Sequence, residues 1–227
     1  MIRTIGILIA LLMTATSARA DACYVIVFGA VSKPQRAKFS HSWAVFVRFP
    51  GCQPGDAPGP DSGAMEYFTI SWLPEAVCLQ PLALRAECGR NFDLDRTFQI
   101  VLSQCENVSA WGPYQICPEF YRLALCQKNR LERNEIAYKT IDEMRNPHRV
   151  SNCIHALTSF NPNERSPFVG RLNFGEVASY RIVDNYEDWI VDSCHVHCWV
   201  ADLLGLNQWP IRWRSVTENR PQPRREP

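Results

Sequence analysis

The chain has 227 residues, with 24 basic and 23 acidic side chains and a formal net charge of +1. That balance excludes the strong basic footprint of a nucleic acid binder. No apolar run is long enough for a membrane-spanning helix, so no integral span is expected.

The first twenty residues read as an address. Arg3 gives a positive start, Ile5 to Met13 form an apolar run, and Ala18-Arg19-Ala20 is a small-x-small cleavage pattern. A secretory signal removed ahead of Asp21 fits this pattern, which makes the protein secreted or periplasmic. A lipoprotein site at Cys23 is the alternative, disfavoured by Asp21 close before it. The remaining length matches one domain, 21–214, with a real core. The Pro- and Arg-rich segment 215–227 reads as a disordered tail. All ten cysteines follow the signal, which in an exported protein points to several disulfides. Spacing alone does not set their pairing.

Cys23 to Gly29 is rich in β-branched and aromatic residues and predicts a strand. The basic segment Lys33 to Lys38 reads as a solvated loop. From Trp43 a second strand follows, with Trp43, Val45, Val47 and Phe49 on one face and His41 at its start on that same face. Pro50 to Gly63 holds four prolines and four glycines and reads as a long loop. Ala64 to Trp72 predicts the hairpin partner, which returns Thr69 and Ser71 to the neighbourhood of His41. Pro81 to Asp95 reads as irregular, and Leu94 to Cys105 as a short helix. Asn107-Val108-Ser109 fits a glycosylation sequon. Trp111-Gly112-Pro113-Tyr114 reads as a turn carrying two aromatics. Pro118 to Glu132 predicts a helix, with proline suited to its first turn. Ile136 to Ile141 reads as a short strand, Ala178 to Val183 as another, and Trp199 to Leu206 as helical.

The chemistry centres on Ser151-Asn152-Cys153-Ile154-His155-Ala156-Leu157-Thr158. Ser151 or Asn152 suits an N-cap, which places Cys153 in the first helical turn. There the helix dipole and unpaired N–H groups favour a thiolate, the reactive form of cysteine. The competing reading is a buried small hydrophobe or half of a disulfide. If Cys153 is catalytic, an odd number of cysteines remains to be paired. His155 is two residues away and points to another helix face. His148 lies in a polar turn. His41 is remote in sequence, as catalytic partners often are. A hydroxyl from Ser71 would hold the His41 imidazole in one tautomer, with Thr69 or Glu66 as substitutes. The competing reading of His41 is a core histidine satisfied by a carbonyl.

His41-Ser42-Trp43-Ala44, Thr69 to Pro74, Trp111-Gly112-Pro113 and Ser151 to Ala156 together resemble the circularly permuted NlpC-type papain-like families. In these the histidine precedes the cysteine. The Asn-Cys-Glu-His-Phe motif of the lecithin:retinol acyltransferase group is similar to Asn152 to Ala156. More narrowly, the motifs resemble a group of exported bacterial proteins, many of them planctomycetal. The resemblance covers about His41 to Phe160. It implies an α+β fold with an antiparallel sheet packed on the Cys153 helix. It also implies Cys153 as nucleophile and His41 as base, acting on amide or ester acyl groups. Two departures stand out: Ile154 replaces the glutamate, and the strand from Met65 to Trp72 has no second histidine.

Cys194-His195-Val196-His197-Cys198 invites a zinc reading, but adjacent ligands rarely converge on one ion, and a disulfide role competes. No metal and no cofactor are expected. The reading is an exported hydrolase or acyltransferase working through acyl-Cys153 on a peptide, cell-wall or lipid substrate. The alternative is a secreted, disulfide-stabilised binding module with the same fold and no activity.

Overall fold

The computed structural model describes residues 21–30, 40–52, 57, 63–77, 85–105, 107–141, 149–163 and 175–216. Residues 1–20, expected as a signal, Lys33 to Lys38, expected as a loop, His148 and nearly all of the expected tail 215–227 lie outside them.

Strand β1 (Ala22–Ala30) is buried along its whole length. A strand whose side chains are all apolar must be covered on both faces, and β1 is central to the fold for that reason. β2 (His41–Phe49) pairs antiparallel with β1, Ala30 opposite His41 and Ala22 opposite Phe49. β3 (Glu66–Ile70) completes the expected hairpin, with Ala44 opposite Ile70. Two short strands follow, β4 (Trp72–Pro74) and β5 (Gly89–Asn91), paired antiparallel. Helix α1 (Leu94–Leu102) starts at Asp93, whose carboxylate accepts from the Arg96 N–H at 2.7 Å.

β6 (Val108–Ile116) lies on the other side of β1. It absorbs Trp111-Gly112-Pro113-Tyr114, which was expected to be a turn. Val25 faces Tyr114 and Val27 faces Trp111, so β6 carries one extra residue at this point. Such a bulge needs an unusual backbone, and Gly112 supplies it at φ +97. A Cβ there would stand 2.6 Å from the Val25 carbonyl oxygen. The chain therefore stays in the sheet despite its Gly-Pro pair. The sequon enters β6 too, and its Ser109 is fully buried.

α2 (Pro118–Glu132) runs over the expected residues. β7 (Ala137–Tyr138) and β8 (Val150–Ser151) form a small parallel pair leading into α3 (Cys153–Thr158). Residues 178–183, expected as a strand, belong to α4 (Glu176–Asn185). Its buried residues Ala178, Ser179, Ile182 and Val183 follow the three-and-four spacing of a helix face. α5 (Cys198–Leu203) follows, and β9 (Ile211–Arg214) then joins the sheet parallel to β6. The order is β3-β2-β1-β6-β9, a mixed sheet in an α+β protein.

Strand alternation divides the core in two. On one face Val25, Val27, Ala44, Phe46, Phe68 and Ile70 pack with residues of α2, α3 and α4. On the other, Ile26, Phe28, Trp43, Val45 and Val47 pack with Phe98 and Val101 of α1 and with Val200 of α5. No described helix is long and apolar enough to cross a membrane. No disulfide joins two described cysteines, and Cys78 lies outside the described residues.

Candidate functional site

Asn152 is the N-cap of α3. Its side-chain oxygen accepts from the N–H groups of Ile154 and His155, each at 2.9 Å. Cys153 is thereby held at the first helical position, half-buried against the α2, α3 and α4 face of the sheet. The cap has a chemical consequence. Two N–H donors that an oxyanion would have used are already bonded to Asn152. Asn152→Ala should release them at a cost of about 1 kcal/mol of stability, measurable by urea unfolding.

His41 opens β2 and is buried, with 4 % of its surface exposed. Its ring stacks on Trp43 at 5.4 Å, and Trp43 in turn stacks on Phe28 and meets the edge of Phe98. These partners belong to the α1 face. His41 Nε2 lies 2.9 Å from Ser71 Oγ, so the hydroxyl and the imidazole share one hydrogen bond. Ser71 is itself fixed by a residue that sequence reading missed. Asn91 accepts from the Ser71 N–H at 2.8 Å and donates to the Thr69 carbonyl at 2.8 Å. One carboxamide thus stands in for ladder hydrogen bonds where β3 gives way to β4. An Asn in an irregular stretch carries no periodic signal, so nothing in the pattern marked it.

Burial pushes the His41 pKa down to about 3, because a charged imidazole here would lose its hydration without gaining a carboxylate. The ring is neutral at any ordinary pH. Its Nδ1 is buried with no hydrogen-bond partner among the described residues. His41 lines a small cleft of about 20 Å³ with Ser40, Leu73, Val77, Ile100, Val101, Gln104 and Cys105, room for about one water molecule. Val77 sits there at φ +55, an uncommon backbone state for a β-branched residue, in a turn closed by its N–H donating to the Pro74 carbonyl at 2.8 Å.

The structure therefore brings His41 and Ser71 together and places Cys153 on the opposite face of the sheet. On the cysteine side the neighbouring β2 position is Ser42. Its hydroxyl meets Ser179 Oγ of α4 at 2.8 Å, and Ser179 donates to the Phe28 carbonyl at 2.7 Å. Gly29, paired with Ser42, leaves room for this close approach, since a Cβ there would stand 2.5 Å from Ser179 Oγ. That position is filled by two small side chains and a helix, not by an imidazole. Thr69 is buried, and Glu66 is exposed and bonded to Arg48 at 3.1 Å. His155 is buried within α3.

In the Cys194 to Cys198 segment, the rings of His195 and His197 meet at 4.4 Å, and His197 packs on Tyr24 at 4.9 Å. The His197 N–H donates to the Pro113 carbonyl at 3.0 Å. Among the described residues no three His, Cys, Asp or Glu side chains converge as a metal site would require. No protein-family model, curated protein or solved structure matches the chain.

Proposed function

We propose that the chain is an exported binding module on a permuted papain-like fold, in which Cys153 and His41 do not form a catalytic pair. The observation that carries this reading is their placement on opposite faces of the sheet, Cys153 against the α2, α3 and α4 core and His41 stacked on Trp43. A base must reach the thiol proton within hydrogen-bond distance. A neutral imidazole bonded to Ser71 behind the sheet has neither the position nor the charge to lower a thiol pKa. The His41 cleft has apolar walls from Leu73, Val77 and Ile100, and the His41 Nδ1 is buried without a hydrogen-bond partner among the described residues. The cleft's room is that of one small uncharged group, so it suits the tip of an apolar side chain or acyl group on a peptide, cell-wall fragment or lipid.

The second reading is a thiol-dependent hydrolase or acyltransferase working through acyl-Cys153. It is favoured by the half-buried thiol at the capped start of α3, where the dipole assists a thiolate. It needs a base other than His41. Iodoacetamide labelling of Cys153 across pH separates the readings. The binding module predicts the same rate and pH profile in wild type and His41→Ala. Labelling that slows, with its profile moved to higher pH, in His41→Ala would restore the catalytic pair.

A further inference from the structure

The sheet register sets Cys23 of β1 opposite Ile116, the residue before Cys117. Cα atoms of such diagonal neighbours on antiparallel strands lie about 6 Å apart, inside the span of roughly 4.4–6.8 Å that a disulfide bridges. In a continuing strand the pleat would turn the two side chains to opposite faces. Here β6 ends at Ile116, and Cys117 is already the N-cap of α2, at φ −61 and ψ 138. Its N–H leaves the sheet to donate to the Trp189 carbonyl at 3.0 Å. The helix it begins packs on the face that Cys23 occupies, so that Cys23, Phe120 and Tyr121 share one core. The two thiols lie within electrostatic reach of one another: burial is the main cause that raises the Cys23 thiol to about 12, and Cys117 contributes alongside Asp21. Cys23 is buried and Cys117 half-exposed, so one is accessible to an external reagent and the other is held beside it.

We propose that Cys23 and Cys117 form a disulfide that staples the start of β1 to the start of α2. The oxidant is an external disulfide, either a low-molecular-weight one such as oxidised glutathione or that of a thiol oxidoreductase. The Cys117 thiolate attacks one sulfur of that disulfide and expels the other as a thiolate, leaving a mixed disulfide on Cys117. Cys23 then gives up its proton and attacks the Cys117 sulfur, expelling the second external thiolate. Two protein thiols are oxidised to one S–S bond, and the external disulfide leaves as two thiols carrying the two protons and two electrons.

The test uses the full chain held in a glutathione redox mixture, alkylated under denaturing conditions and mapped by mass without reduction. The expected result is one pair of peptides joined through Cys23 and Cys117, separated by reductant. Cys23→Ser and Cys117→Ser should each lower Tm, with the double variant falling no further than either single one. Alkylated Cys23 and Cys117 in the unreduced protein, or either of them bridged to a third cysteine, would overturn the proposal. The wild-type map decides this even if a variant fails to fold.

Discussion

Acidification from neutral pH to pH 4 should destabilise the wild-type protein by about 3 kcal/mol more than a His41→Gln variant. In the unfolded chain His41 takes up a proton near its ordinary pKa of about 6.5, whereas in the fold burial holds that pKa down to about 3. A depressed folded pKa gives stability that is fully present above the unfolded value. It is lost as pH falls from about 6.5 towards 3, where the unfolded state binds one proton more than the native state. Within that window each pH unit costs about 1.4 kcal/mol. Gln keeps a side-chain amide within reach of Ser71 and cannot titrate. Other acid-sensitive groups act in both proteins and cancel in the difference. Urea unfolding of the pair at pH 7 and pH 4 makes the measurement. Equal losses in the two proteins would show that His41 is hydrated and that its position does not depress its pKa.

The same residue shows what the sequence disclosed. Alternation along β2 put His41 on the face of Trp43, Val45, Val47 and Phe49, and the structure has it there. The hairpin put Ser71 beside it, and the two hydrogen-bond. What alternation cannot express is which helix covers which face. A period of two says whether two residues of one strand share a side, but the side taken by α3 is decided by contacts far apart in sequence. Ala44 and Ile70 are apolar and accept Ala156 and Leu157 of α3 in one core. The aromatic face of Trp43 instead receives Phe98 of α1. A cysteine and a histidine that look like partners in the sequence are thereby separated by the sheet.

Local pattern also misled in two places for separable reasons. Residues 178–183 mix β-branched and aromatic side chains, and a six-residue window is too short to show the helical period that Tyr186, fully buried beyond it, would have extended. At Gly112-Pro113 the expected turn does not form, and the chain runs on as β6. A central strand with a partner on each side absorbs the Gly-Pro pair as a bulge instead of reversing direction. Both errors arise where tertiary packing overrides local preference.

Gly89→Ala should be among the most damaging single methyl additions, with a loss at or above about 3 kcal/mol, the upper end for overpacking a core. Gly89 faces Pro74 in the β4–β5 pair, and the indole of Trp72 lies across it. A Cβ at Gly89 would stand 2.1 Å from Cζ2, 2.4 Å from Cε2 and 2.6 Å from Cη2 of that ring. The ring has nowhere to retreat: Trp72 is fully buried in a core shared with Tyr138 and Ile154. Trp72→Phe removes much of the bulk at the contact at its own cost in lost packing, about 1–2 kcal/mol by comparison with larger truncations. The two changes should therefore be far from additive. In the Trp72→Phe background the added methyl should cost much less, with a coupling of about 1–3 kcal/mol. Urea unfolding of the four proteins closes the cycle, and additive losses would mean that the indole does not rest on Gly89. A second readout follows from the chain itself. Ser71 precedes Trp72 and holds His41, so displacing the indole should loosen that pair and let water reach the imidazole. The acid-dependent loss should then be smaller in Gly89→Ala than in wild type. An unchanged acid dependence in a destabilised Gly89→Ala protein would confine the damage to the β4–β5 pair and leave the His41 cleft mechanically independent of it.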